Sequence, residues 1–131
     1  MMVSVSLIND FLNQREIAVV GASRSPAKYG NIVFKKLQAA GYLVYPVNPR
    51  ARLIDGQPAY PCLSSLPDSV KAAVVVVPPK VSETVAVEAI AAGFRYIWFQ
   101  PGAESGKVIL SLESAGIKVI HGTCLLVRVS P

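Results

Sequence analysis

One phrase recurs three times along the chain: Ala39-Ala40-Gly41-Tyr42, Ala91-Ala92-Gly93-Phe94 and Ser114-Ala115-Gly116-Ile117. Each copy closes a stretch with helical spacing of apolar residues and opens an apolar run. A glycine at that place supplies the left-handed residue that ends a helix, and the residue after it starts a strand. Three joints of one kind therefore specify repeated β–α units. Between the joints, strands are expected over Ile17–Val20, Leu43–Val47, Ala73–Val77, Tyr96–Gln100 and Lys118–His121, and helices over Val3–Leu12, Asn31–Ala40, Ser82–Ala92 and Ser105–Ala115. The third and fourth strands are almost wholly apolar, as strands covered on both faces must be. The pattern predicts an α/β fold, doubly wound around a five-stranded, mainly parallel sheet.

Composition agrees with that architecture. Apolar residues make up 52% of the 131 positions and charged ones 16%, which excludes a disordered chain and suits a doubly covered sheet. The length predicts one domain over 1–131, with an N-terminal helix in 1–15 ahead of the core in 16–124. In the second helix Ile32, Val33, Leu37 and Ala40 are expected on the inner face, and in the third Val81, Val85, Ala89 and Ala92. The stretch Arg50–Pro67 is the least regular, punctuated by Gly56, Pro58, Pro61 and Pro67, with room for a helical turn near Leu63–Leu66. Trp98 is expected in the core.

Thirteen basic side chains against eight acidic ones give a net charge of +5, spread without a basic run longer than Lys35-Lys36. That balance favours anionic partners, while the lack of a basic and aromatic platform argues against nucleic acid. The two cysteines, Cys62 and Cys124, stand in no paired ligand motif, so neither zinc nor a disulfide framework is indicated. Met1–Asn13 lacks the basic flank of a signal peptide, and the longest apolar run, Ala72–Pro79, is far short of the roughly 20 residues that span a bilayer. The expectation is a cytoplasmic protein with no membrane partner.

In a parallel sheet the strands end on one edge, so loops distant in sequence meet around the crevice where strand order reverses. The first loop, Gly21-Ala22-Ser23 through Lys28-Tyr29-Gly30, joins a strand to a helix and offers backbone N–H groups to phosphates. It lacks the second glycine of a dinucleotide fingerprint and the Gly-Lys-Ser/Thr of a Walker A loop. Gly21 also reads as the turn any such fold needs, Ser23 as a turn cap and Lys28 as a solvated lysine. After the second strand stands Asn48-Pro49-Arg50, with Arg52 close by, where an NAD-binding chain is expected to carry Asp or Glu. An arginine there suits a ribose bearing an extra phosphate, as in NADP or coenzyme A. Val77-Pro78-Pro79 makes a rigid apolar wall, or a stop before a helix capped by Ser82. Gln100-Pro101-Gly102-Ala103 makes a small-residue turn before a helix start favoured by Glu104. The single histidine, His121, ends the last strand, and spacing supports no triad, acid pair or metal cluster.

Together, Val19-Val20-Gly21-Ala22-Ser23, Lys28-Tyr29-Gly30, Val47-Asn48-Pro49-Arg50, Val77-Pro78-Pro79 and Trp98-Phe99-Gln100-Pro101-Gly102 resemble the CoA-binding protein family. These are small stand-alone domains similar to the N-terminal domain of the succinyl-CoA synthetase alpha subunit, and the resemblance runs from Glu16 to Cys124. It implies a Rossmann-like three-layer sandwich that holds coenzyme A or acyl-CoA along the carboxyl edge of the sheet. Gly21, Ala22, Ser23 and Lys28 would meet its phosphates, with Tyr29 and Gly30 beside them. Asn48, Pro49 and Arg50 would meet the adenosine end, and Val77, Pro78 and Pro79 the adenine or pantetheine, with Gln100 and Gly102 nearby. The synthetases need a phosphohistidine on a second domain and an ATP-grasp partner, and His121 does not match that histidine. The chain departs from the family in carrying Arg50 where many relatives have Lys, and Gly122-Thr123-Cys124 where Asp-Arg-Cys is common.

The leading reading is thus a non-catalytic coenzyme A binding module, with pairing through exposed helices as a secondary expectation. Two others stand beside it: an NADP-binding reductase-like domain, and a regulatory or scaffold subunit with a vestigial nucleotide crevice.

Overall fold

A computed structural model describes residues 4–129. Helix α1 (Val5–Leu12) leads into β1 (Glu16–Val20), α2 (Tyr29–Ala39) and β2 (Leu43–Val47). A two-stranded ribbon, β3 (Leu53–Ile54) with β4 (Gln57–Pro58), and a 3-10 turn at Leu63–Ser65 follow. The chain then runs through β5 (Ala72–Val75), α3 (Pro79–Ala91), β6 (Tyr96–Phe99), α4 (Gly106–Ser114), β7 (Lys118–Ile120) and a last 3-10 turn at Leu125–Val127.

Five strands form one sheet in the order β2-β1-β5-β6-β7, and every pairing is parallel. The fold is Rossmann-like, and the sheet is all-parallel rather than mainly so. From β1 the chain steps outward to β2, then returns across the sheet to place β5 against the other side of β1. Strand order reverses there, with Ala18 opposite Ala73 and Val20 opposite Val75. Because successive side chains of a strand point to opposite faces, each central strand feeds two cores. Ile17, Val19, Val74 and Trp98 pack with Phe11 of α1 and Val33, Phe34 and Leu37 of α2. Ala18, Val20, Val75, Ile97 and Phe99 pack with Val85 and Ala89 of α3 and Val108 and Leu112 of α4.

All three expected joints form, and they use the same hydrogen bonds. Gly41, Gly93 and Gly116 have φ of 93°, 70° and 85°. The residue after each glycine donates back to the helix: Tyr42 to the Leu37 carbonyl, Phe94 to Ala89 and Ile117 to Leu112. These are Schellman closures, which satisfy helix-end carbonyls and turn the chain into the next strand.

The helices differ from expectation in their faces. Ser82 is not a cap: α3 begins at Pro79 with Pro78 as its N-cap residue, and Ser82, fully buried, donates to the Ala103 carbonyl at 2.8 Å. Proline suits that start because its missing N–H has no helical partner anyway. The inner face of α3 is Ser82, Val85, Ala86 and Ala89, while Val81 is exposed. On α2 the buried set includes Asn31 and Phe34, and Ile32 faces out. The strands end one or two residues early, at Val75, Phe99 and Ile120, because Val76, Gln100 and His121 already belong to the edge loops. Val3, expected at the start of α1, lies outside the described residues. Trp98 is fully buried, its indole N–H donating to the Thr123 carbonyl and its ring edge-on to Phe11 at 5.2 Å.

At the opposite end of the sheet, the Tyr45 hydroxyl donates to the Glu16 carboxylate at 2.6 Å, and Ser69 donates to the same oxygen at 3.1 Å. The bond to Glu16, aided by partial burial, pushes the Tyr45 hydroxyl from its ordinary 10.0 up to about 12. A folded value above the unfolded one makes this contribution complete below pH 10.0 and lost as pH rises through about 12. In an alkaline titration followed by phenolate absorbance, one tyrosine of the folded protein should ionise near pH 12, and Tyr45→Phe should delete that step.

Candidate ligand-binding site

The site begins with a close approach of backbones. Gly21 has φ 95° and donates to the Val47 carbonyl at 3.1 Å. A Cβ on Gly21 would collide with the carbonyl oxygen of Val76, and one on Gly30 would collide with the carbonyl oxygen of Gly21. The β1 turn is thus pressed between the loop after β5 and the first turn of α2, directly over the strand-order reversal. Lys28 is the exposed N-cap residue of α2, and no acidic residue stands in that helix's first turn. The first N–H groups of a helix lack internal partners, so this end of α2 favours an anion.

Two asparagines hold the loops around that turn. Asn48 donates from Nδ2 to the Ala22 carbonyl at 2.8 Å, while its Oδ1 accepts from the N–H groups of Arg50 at 2.8 Å and Ala51 at 3.2 Å. Asn31, only 1% exposed, donates from Nδ2 to the Ser23 carbonyl at 2.7 Å and to Asp55 Oδ2 at 3.2 Å. Its Oδ1 is buried without a partner. Within the loop, Ser23 Oγ accepts from the Ser25 N–H at 3.0 Å, as a turn cap does.

Three clefts open along this edge. An inner one of about 410 Å³ is lined by Ser23, Arg24, Ser25, Asn48, Arg50 and Ala51. A wider one of about 760 Å³ shares Arg24, Arg50 and Ala51 with it and adds Arg52, Leu53 and Pro58. The third, about 240 Å³, lies over β5 and β6 between Val76-Val77-Pro78 and Gln100-Pro101-Gly102-Ala103. The edge is therefore cationic over β1 and β2 and largely apolar over β5 and β6. That division suits a ligand with phosphates at one end and an apolar arm at the other.

The residues singled out in the sequence divide among these features. Gly21, Ala22, Ser23, Asn48 and Arg50 converge at the inner cleft or its floor, and Val77, Pro78, Gln100 and Gly102 line or border the apolar one. Tyr29 and Gly30 form the first turn of α2, with Tyr29 exposed and Gly30 buried. Pro49 is exposed beside Asn48, and Pro79 opens α3. Lys28 borders the helix end without lining a cleft. Two side chains carry structural bonds. Gln100 is buried, its Oε1 accepting from the Leu125 N–H at 2.7 Å and its Nε2 donating to Cys124 Sγ at 3.3 Å. Glu104 accepts from the Gly102 N–H at 2.9 Å, tying the turn, while Ser105 caps α4. Sequence reasoning missed Arg24 as a lining residue and Asn31 as a hub. A polar residue on an otherwise apolar inner helix face was the available signal for Asn31.

Comparison with known proteins places this geometry in context. The family model described as a CoA binding domain matches residues 15–130. The chain is 32% identical over 130 residues to the alpha subunit of ADP-forming acetate-CoA ligase II of Pyrococcus furiosus, covering 91% of this chain and 28% of that protein. It is 32% identical over 119 residues to ADP-forming acetate-CoA ligase I of Archaeoglobus fulgidus, covering 83% of this chain and 17% of that one. The chain thus spans less than a third of the length of these ligases. Among solved structures, a conserved hypothetical protein from Pyrococcus furiosus superposes with a TM-score of 0.84 at 50% identity, covering 87% of this chain and 98% of that chain.

Two substitutions test how the site is built. Gly30→Ala should destabilise the fold by about 3 kcal/mol, because the methyl has no direction in which to relax. Asn48→Ala, which breaks the Ala22 link and leaves two loop N–H groups unpaired, should cost about 2 kcal/mol. Denaturant unfolding monitored through Trp98 measures both.

Proposed function

Because the chain belongs to the CoA-binding domain family and is related within it to the ADP-forming acetate-CoA ligases, we propose that it is a coenzyme A or acyl-CoA binding module that carries out no bond-making step itself. The observation that carries the reading is the convergence, at the strand-order reversal, of the Gly21 turn, the α2 N-terminus and the Asn48–Arg50 loop. Gly21, Ala22, Ser23, Lys28, Tyr29 and Gly30 are assigned to the diphosphate. Asn48, Pro49 and Arg50 are assigned to the phosphorylated adenosine. Val77, Pro78, Pro79, Gln100 and Gly102 are assigned to the pantetheine arm. The change from cationic to apolar lining along the edge supports this orientation.

His121, the only histidine, is half-buried at the end of β7 and lines none of the three clefts, which supports a binding rather than a phosphoryl-transfer role. Two copies have a face to pair through on the outer side of α3 and α4, where Val87 and Leu110 are 68% and 66% exposed.

Calorimetric titration of ligand-stripped protein with coenzyme A and NADPH in parallel tests the reading. Coenzyme A should bind, Lys28→Ala and Arg50→Ala should each weaken it about tenfold, and the protein should turn over neither acetyl-CoA nor NADPH. Binding of NADPH alone would replace this reading with the reductase, and binding of neither would leave a scaffold.

A further inference from the structure

The two-residue hairpin at the tip of the β3–β4 ribbon holds the chain's single Asp-Gly or Asn-Gly pair, Asp55-Gly56. Its φ angles are 49° at Asp55 and 81° at Gly56, so both central residues sit in the left-handed region that such a turn requires. Glycine takes that region freely, whereas Asp55 is the one non-glycine residue with a positive φ among the described residues. Two side chains fasten the ribbon to α2. Ile54 is fully buried with the α2 core, and Asp55 Oδ2 accepts from Asn31 Nδ2 at 3.2 Å and pairs with Lys35 Nζ at 3.9 Å.

The same turn sets a nucleophile beside an electrophile. An aspartyl carboxyl lies one rotation about Cα–Cβ from the N–H of the next residue, and attack of that nitrogen on Cγ closes a five-membered succinimide ring. A side chain on the following residue slows the attack, and so does a hydrogen bond that occupies its N–H. Neither operates here. Gly56 has no side chain, a Cβ there would meet nothing within 4 Å, and no hydrogen bond engages its N–H among the described residues. The carboxyl is the part that is held. Asn31, 1% exposed and fixed by its second bond to the Ser23 carbonyl at 2.7 Å, cannot follow Asp55 if it turns away. Rotation of Cγ toward Gly56 therefore breaks the Asn31 bond and the Lys35 pair together.

We propose that Asp55-Gly56 is a site of spontaneous isomerisation to isoaspartate, and that Asn31 and Lys35 hold the reaction back in the folded protein. In the first step the Gly56 nitrogen bonds to Asp55 Cγ and loses its proton, and the carboxyl hydroxyl leaves as water. In the second, water adds to the main-chain carbonyl carbon of Asp55, whose bond to nitrogen breaks. The chain then runs through Cβ and Cγ, and the former main-chain carbonyl is a free carboxylate. The sum is an isomerisation with no redox change. The added backbone methylene does not fit a two-residue turn, and the displaced carboxylate no longer meets Asn31 and Lys35. Modification thus unfastens the ribbon from α2, together with Arg52, Leu53 and Pro58, which line the wider cleft. The proposal is independent of which ligand the carboxyl edge binds.

Prolonged incubation of the full chain in warm neutral buffer tests it, with isoaspartyl groups counted by enzymatic carboxyl methylation and located by peptide mapping. Label should gather on the peptide that contains Asp55, about tenfold more slowly in the folded protein than in the urea-unfolded chain. Lys35→Met should raise the folded rate about threefold and Asn31→Ala about tenfold, with the rate in urea unchanged in both. Lys35 is half-exposed, so its variant keeps the fold, as thermal unfolding verifies, and reads the clasp even where loss of the buried Asn31 destabilises the protein. Gly56→Ala should suppress the label in urea. Label gathered on other residues, a folded rate equal to the unfolded one, or a Lys35→Met rate no faster than the parent's overturns the proposal.

Discussion

Three backbone segments meet at the end of β1 with no room for a methyl group between them. The Gly21 turn touches the Val76 carbonyl on one side and the first turn of α2, at Gly30, on the other. This contact sets the position of everything at the carboxyl edge. It fixes where α2 begins, and hence where its unpaired N–H groups point. It also brings the loop after β5 beside the loop after β1, which makes the strand-order reversal a crevice rather than a flat rim. Packing of this kind tolerates no compensation by side-chain rotation, because both obstacles are main-chain carbonyls.

The electrostatics of the edge follow from a division of labour between the two asparagines and the arginines. Asn48 and Asn31 satisfy loop carbonyls and N–H groups with short neutral bonds, and the one carboxylate in this network, Asp55, is engaged by Asn31 and Lys35. Arg24, Arg50 and Arg52 line the clefts and enter no ion pair among the described residues. Had these arginines held the loops through carboxylate pairs, the clefts would be near neutral, and a phosphate would have to displace an existing partner. Among the described residues, the Oδ1 of Asn31 is the one buried side-chain nitrogen or oxygen left without a hydrogen-bond partner.

Much of this was legible in the sequence where a local rule has a unique geometric solution. The repeated Ala-Gly-aromatic or Ala-Gly-aliphatic phrase specified the helix closures, and these closures fixed the number and direction of the strands. The glycine turn and Asn48-Pro49-Arg50 marked the ends of β1 and β2 correctly. What the sequence left obscure had tertiary causes. Ser82 looks like a helix cap, yet Pro78-Pro79 starts the helix a turn earlier, and the serine instead bonds Ala103 across the α3–α4 layer. Ile32, expected on the inner face, is exposed because α2 turns Asn31 toward Ser23 and Asp55, two partners from distant loops. The ribbon hid behind Pro58 and Pro61, although Asp55-Gly56 between Ile54 and Gln57 carried a hairpin signal. Gln100 looked like part of a turn, and its buried amide instead binds a segment 25 residues further on.

The strand order also dictates the sequence of events during synthesis. β1 emerges early and pairs with β2, but its other neighbour is β5, which lies beyond the ribbon and the 3-10 turn. A nascent chain therefore carries β1 with one edge open until Ala72–Val75 has left the ribosome. The open strand is Ile17-Ala18-Val19-Val20, among the most apolar in the protein and a ready template for a strand from another chain. The residues that fill the wait, from Asn48 to Lys71, include Pro49, Pro58, Pro61 and Pro67. Prolines cannot donate to a strand ladder, so the stretch made next is poorly suited to occupy the place reserved for β5.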